Sequence, residues 1–302
     1  MFNEILVPLD GSSLAEAILP YAVYVAGGYN ARITLLSVVD PDTPDVGPRH
    51  RDYLTQMVTR SETLLRNYLR NVGDRIKGEG QSVRDVILRG KAAESIVSYA
   101  EREKFGLIAM STHGRSGLGR WLSGSVTDGV LRLTETPMLI IRPSETEERR
   151  EGVKFTKLVA PLDGSPLAES ILPYVEDLAK HLGLSVHLVQ AIQTVPVFRA
   201  EAEYSEYPMD LVKEIEEIAK TYLSAKAQEL SRDGIKCEYN VLSGGAAAAI
   251  TDFAQGTPTA LVAMSTHGRS GLGRVLLGSV ADRLIRSTAN AVLVFHPKAA
   301  AS

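Results

Sequence analysis

Ser111, Gly114, Gly117, Gly119, Gly124 and Ser125 fall within fifteen residues, after an aliphatic run and before a helical pattern. That composition suits an anion. Small residues let backbone N–H groups approach a phosphate, and the first turn of the following helix adds unsatisfied donors at the positive end of its dipole. The hydroxyl of Ser125 supplies one donor more. Arg115 and Arg120 flank the loop with forked donors suited to phosphate. A second chemical feature is Asp10, in Leu9-Asp10-Gly11-Ser12. Its carboxylate suits a sugar hydroxyl, or a divalent cation held beside phosphates.

Several other chemistries are excluded by residue type and spacing. No Gly-Lys-Ser or Gly-Lys-Thr occurs, which argues against a Walker loop. A dinucleotide fingerprint belongs after the first strand, where this chain has Asp10-Gly11-Ser12 instead. The six histidines, at 50, 113, 181, 187, 267 and 296, lack paired ligand spacing, apart from 181 and 187 on either side of a turn. His113 and His267 each precede a loop glycine, yet no second base or nucleophile is identifiable beside them, so loop-ordering hydrogen bonds are expected rather than catalysis. No protein metal site is expected. The single cysteine, Cys237, excludes an internal disulfide framework and a cysteine metal cluster.

Positioning such loops requires strands that alternate with helices. Ile5–Leu9, Arg32–Val39, Ser82–Leu88, Gly106–Ser111 and Pro137–Arg142 read as strands. Helical patterns run between them over Ser13–Gly27, Tyr53–Ile76, Ala92–Glu103 and Ser125–Leu133. That order predicts a parallel sheet covered on both faces. Ser12 is the expected N-cap of the first helix, and Pro20 should kink that helix or end it early.

The whole plan is written twice. Pro8–Tyr21 recurs as Pro161–Tyr174 with 12 of 14 residues identical at an offset of 153, and Ala109–Val126 recurs as Ala263–Val280 with 16 of 18 identical at an offset of 154. Each copy is long enough to own a core, so two domains are expected, 1–143 and 154–298, joined by a polar linker at 144–153. The loops after the second strands have diverged freely, whereas the glycine loop is nearly unchanged and points to a shared ligand. Trp121, replaced by Val275, reads as packing. The chain has 33 basic and 36 acidic residues, a formal charge of −3, without blocks of one sign. Nucleic acid is therefore not an expected partner. Without a signal-peptide pattern or an apolar run of about 18 residues, no membrane partner is expected, and the cytoplasm is the expected compartment.

The spacing small-x2-Gly-x9-Gly-Ser at Ser111, Gly114, Gly124 and Ser125, and again at Ser265, Gly268, Gly278 and Ser279, resembles the nucleotide-binding motif of the universal stress protein family. Together with ILVPLDGS near the N-terminus, it makes the chain look like a tandem member of that family. The resemblance implies two Rossmann-like α/β domains, each a five-stranded parallel sheet of order 3-2-1-4-5, with ATP at the carboxyl ends of strands one and four. It further implies that Pro8, Leu9, Asp10 and Val38 line the base and ribose, while Gly114, Gly124, Ser125 and Val126 hold the phosphates. The second set is Pro161, Leu162, Asp163, Ala191, Gly268, Gly278, Ser279 and Val280. This chain departs from the family in two places. Ser111 and Ser265 stand where its motif usually has glycine, and Ala191 matches Val38.

The expected function is adenine-nucleotide binding in stress response or regulation, with magnesium carried by the nucleotide and little or no hydrolysis. Two alternatives are an interaction module independent of nucleotide and an adenylyl-transferring enzyme, although the Ser-Gly-Gly-x-Asp-Ser pattern of the latter is missing. An intramolecular pseudo-dimer through the fifth strands is expected, and a homodimer beyond it.

Overall fold

The computed structural model describes residues 1–41, 48–78, 80–112, 125–143, 152–192, 209–266 and 278–297. The described residues divide into two compact units between Lys154 and Phe155. In the first, β1 (Glu4–Pro8), α1 (Ser13–Glu16), α2 (Leu19–Tyr29), β2 (Arg32–Val39) and α3 (Pro48–Lys77) are followed by β3 (Ser82–Arg89), α4 (Ala92–Arg102), β4 (Leu107–Ser111), α5 (Ser125–Leu133) and β5 (Met138–Ile141). The strands lie in the order β3-β2-β1-β4-β5. All pairings among them are parallel, with Leu6 opposite both Thr34 and Ile108, Leu36 opposite Val86, and Ala109 opposite Leu139.

The order explains the near-continuous apolar strands. Right-handed crossovers from β1 to β2 to β3 place α2 and α3 on one face, and those from β3 to β4 to β5 place α4 and α5 on the other. A central strand covered on both faces cannot alternate polar with apolar. Ile5, Leu6, Ile33, Leu35, Leu36, Leu107 and Ile108 are accordingly buried, from both strand faces. Thr34 shares that core, its hydroxyl accepting from Arg84 Nε at 2.8 Å.

The second unit repeats the plan: β6 (Lys157–Pro161), α6 (Pro166–Glu169), α7 (Leu172–Leu182), β7 (Ser185–Ile192), α8 (Met209–Arg232), β8 (Cys237–Ser243), α9 (Ala246–Gln255), β9 (Ala260–Ser265), α10 (Ser279–Ser287) and β10 (Ala291–Phe295). Its order is β8-β7-β6-β9-β10, again parallel at every pairing. Most of the expected linker, 144–151, lies outside the described residues.

Pro20, expected to disturb the first helix, divides it in two. α1 stops at Glu16, and Pro20 lies in the first turn of α2; Pro173 does the same in α7. A first-turn proline gives up an N–H that has no helical acceptor, so the break places it where it does least harm.

One interior difference between the units carries a pH signature. His187 on β7 replaces Thr34, is buried, and its Nε2–H donates to Asn240 Oδ1 at 2.5 Å. Its Nδ1 lies 3.5 Å from both Lys157 Nζ and Glu238 Oε2. Burial, seconded by the Lys157 charge, holds its pKa below the usual histidine value, against the opposing pull of Asn240 and Glu238. The unfolded chain then takes up a proton first as pH falls. Stability from neutral His187 is complete above the unfolded value, about 6.5, and declines as pH drops through the folded one. Hydrogen exchange on β7 peptides should show opening rise as pH falls below about 6.5. His187→Gln should flatten that rise, and β2 peptides should lack it.

Candidate functional site

The sheet order reverses direction beside β1, whose chain leaves toward β2 on one side while β4 lies on the other. Ligands of open α/β sheets bind at such a reversal, outside the carboxyl ends of the strands. There Pro8 ends β1 and Ser111 ends β4, on adjacent parallel strands. Asp10 follows directly. Its Oδ1 accepts from Ser12 N at 2.9 Å and from Ser12 Oγ at 2.6 Å, and Ser12 Oγ accepts from Ala15 N at 3.1 Å, capping α1. Gly11 between them has φ 84°, a left-handed conformation that an L side chain would strain. Asp163, Gly164 and Ser165 reproduce every part, with distances of 3.0, 2.6 and 3.1 Å and φ 79°. One oxygen of each carboxylate is thus spent on its own turn, which fixes the direction of the other.

The remaining wall residues are held from behind. Leu9 and Leu162 are buried, their amides donating to Leu36 O at 2.7 Å and Val189 O at 2.8 Å. Val38 and Ala191 are half-buried near the ends of β2 and β7. The position before each differs more. Ser37 Oγ donates to Leu9 O at 2.6 Å, whereas Gln190 stands at the matching place with a buried Oε1 that accepts no hydrogen bond.

Ser111 is buried, and its carbonyl accepts from Thr127 Oγ1 at 2.8 Å, which ties α5 to the end of β4. Ser265 Oγ donates to Leu167 O at 2.7 Å, directing that side chain to α6. α5 opens at Ser125, followed by half-buried Val126, and α10 at Ser279, followed by Val280. Gly278 precedes α10 in an extended conformation (φ −61°, ψ 144°) and, as a glycine, offers no side-chain cap to the N–H groups of the first turn. The loop residues Gly114, Gly124 and Gly268, with His113, His267 and the flanking arginines Arg115, Arg120, Arg269 and Arg274, lie outside the described residues.

Sequence reasoning overlooked a second pair of groups beneath each aspartate. Tyr222 on α8 donates its hydroxyl to Glu169 Oε1 at 2.9 Å, and Lys226 Nζ lies 3.0 Å from Glu169 Oε2. In the first unit the buried Tyr68 hydroxyl on α3 makes no hydrogen bond among the described residues but feels the charge of Glu16, and Arg75 pairs with Glu16 at 2.6 Å. Burial, followed by the charges of Glu16 and Asp10, drives the Tyr68 pKa far above its usual range. For Tyr222, burial, Glu169 and Asp163 act likewise. Both phenols therefore stay protonated beside the candidate site. The signal was present: the glutamates lie inside the repeated segment, and the tyrosines are 154 residues apart. No cluster of three potential metal ligands occurs among the described residues.

With two copies of one site on two copies of one sheet, the family comparison is decisive. The model of the Universal stress protein family matches residues 1–142 and again 154–296. The chain belongs to the universal stress protein family. A universal stress protein of Methanocaldococcus jannaschii is 33% identical over 141 residues, 46% of this chain and 81% of the relative. One of Mycolicibacterium smegmatis is 23% identical over 303 residues, covering 97% of both chains. Among solved structures, a universal stress protein from Archaeoglobus fulgidus matches with a TM-score of 0.68 at 20% identity, over 97% of this chain and 96% of that one. The last two extend over both halves, so the tandem universal stress protein arrangement spans this chain. No described helix is long and apolar enough to cross a membrane.

Proposed function

We propose that this universal stress protein binds an adenine nucleotide in each half, at the carboxyl ends of β1 and β4 and of β6 and β9, and regulates through occupancy rather than turnover. The observation that carries the reading is the duplicated placement of an oriented carboxylate and a helix start at the sheet's reversal. Asp10 and Asp163 would accept a ribose hydroxyl, with Pro8, Leu9 and Val38, or Pro161, Leu162 and Ala191, along the base. The starts of α5 and α10, with the glycine loop, would hold the phosphates through backbone N–H groups and the hydroxyls of Ser125 and Ser279. The donor set suits the anion, and magnesium would travel with the phosphates.

Hydrolysis is expected to be slow or absent, because the chain has no Walker lysine and the oriented aspartates are assigned to the ribose. Occupancy changes behaviour only if two states of the protein bind nucleotide unequally. Calorimetric titration of the full chain with magnesium and ATP should saturate with a stoichiometry near two. An absence of saturable binding at millimolar nucleotide would sink the reading.

A further inference from the structure

The long helices α3 and α8 each carry a second apolar stripe, away from the one that packs on the sheet. On α8, Leu211, Ile215 and Ile218 are 41%, 43% and 63% exposed; on α3, Met57 and Leu64 are 50% and 62% exposed. The inward faces adjoin these stripes without coinciding with them. Leu69, Val72 and Ile76 are buried on α3, and Ala219, Leu223, Ala227 and Leu230 on α8. Leu69 lies five residues from Leu64, roughly 140° around the helix. Five large apolar side chains in water on two helices form a repeated feature rather than scattered exposure.

The repetition is positional. Met57 and Leu211, and Leu64 and Ile218, are each 154 residues apart, although few other positions of these two segments are identical. The spacing of four then three residues, 57-61-64 and 211-215-218, is that of a coiled-coil seam. In heptad terms Met57, Leu64, Leu211 and Ile218 take d, while Ser61 and Ile215 take a. The g position is Arg60 on α3 and Glu214 on α8. Val58 and Val212 take e.

Charge then selects the partner. Glu62 on α3 is already paired with Arg89, which leaves Arg60 at g to set the sign of that flank. On α8 the glutamates 214, 216 and 217 outnumber Lys213 and Lys220, and Lys220 is held by Glu216 and Glu217 at 2.9 and 3.0 Å. Antiparallel packing of helices sets g against g. Two α3 stripes would oppose Arg60 with Arg60, and two α8 stripes Glu214 with Glu214, whereas α3 against α8 matches opposite charges and Val58 with Val212. We propose that the stripes are an interface between two copies of this chain, α3 of one copy packing antiparallel on α8 of the other. Each copy offers both halves of the contact, so the contact joins like chains.

Sedimentation velocity on the full chain, from about 1 to about 100 µM, reads the association directly. The wild-type protein should shift from the mass of one chain to that of two. Arg60→Glu and Glu214→Arg should each weaken association at least about tenfold, and the double substitution should restore it, a rescue that a loss of folding cannot produce. Leu64→Asp with Ile218→Asp should abolish the dimer while leaving the far-ultraviolet dichroism unchanged. Substitutions this exposed spare the core. A wild-type chain that stays monomeric throughout would leave the stripes to a different protein and overturn the proposal. So would a dimer indifferent to all four substitutions. Nucleotide binding is measured separately, so neither result depends on it.

Discussion

Asp10→Asn should weaken nucleotide binding at one of the two sites by roughly 30- to 150-fold, corresponding to the loss of about 2–3 kcal/mol that a hydrogen bond to a charged group contributes. Asparagine is the informative replacement. Its Oδ1 still accepts from Ser12 N and Ser12 Oγ, the two bonds that Asp10 Oδ1 makes, so the turn and the cap of α1 survive. What changes is the other oxygen, which becomes an amide that donates where a ribose hydroxyl would need an acceptor. Asp10→Ala would confound the result, because it strips the support from Ser12 and adds about 1 kcal/mol of lost capping. Asp163→Asn should act on the other site in the same direction but more weakly. Asp163 is exposed where Asp10 is half-buried, and water screens its charge more effectively. Titration of each variant with magnesium and ATP should therefore show one weakened class of site, and of the two variants Asp10→Asn should show the larger loss. Equal affinity to wild type in both would remove the aspartates from the ligand contact.

The part of this site legible in the sequence was the part built from neighbours in the chain. Asp10 and Ser12 are two residues apart, and Asp–x–Ser before a helix has a local meaning that needs no fold. The same holds for Pro166, which marks the start of α6 where Ser165 caps it. The strands were legible because burial on both faces leaves continuous aliphatic runs. Glu16 and Tyr68 were not, since 52 residues separate them and nothing in either local pattern says that α3 crosses over α1. Only the repeat could have connected them, through Glu169 and Tyr222 at matching positions.

Some differences between the halves were legible in kind but not in weight. Ala191 for Val38 stood out as a change in size. The residue before it matters more to the packed structure, because Ser37 satisfies the carbonyl of Leu9 while Gln190 leaves its own Oε1 buried without a donor. Thr34 and His187 show the same effect. As letters they are an unremarked difference in a strand; placed in a core, one satisfies Arg84 and the other must stay neutral. Side-chain identity alone does not say which polar atoms a fold will bury. That depends on which face of the strand and which neighbour the crossover brings.

The largest loss of stability should follow from the smallest substitution, Gly106→Ala. A methyl group built on Gly106 would lie 2.5 Å from Met1 O, too close to coexist with it, and 3.1 Å from Phe2 Cα, a tight contact, and both are backbone atoms. The neighbour cannot retreat freely. Phe2 is fully buried, its ring set edge-on against Tyr29 at 5.2 Å, and Gly106 N donates to Glu4 O at 3.1 Å. Moving the strand start outward would pull Phe2 from the core and stretch the entry of β4 beside β1. Overpacking of this kind costs about 2–3 kcal/mol, which for a unit of this size lowers its melting temperature by roughly 6–12 °C. The matching residue in the second half is already alanine: Ala260, buried, begins β9 with its amide donating to Thr257 O at 2.8 Å. There the opposite change, Ala260→Gly, should be destabilising by only about 1 kcal/mol, from lost burial and added backbone freedom. Hydrogen exchange on peptides of β1 and β4, set against those of β6 and β9, separates the two effects within one chain. Gly106→Ala should accelerate the first pair alone. The same duplicated position thus carries a methyl group in one copy, whereas in the other the carbonyl of Met1 stands where that methyl group would go.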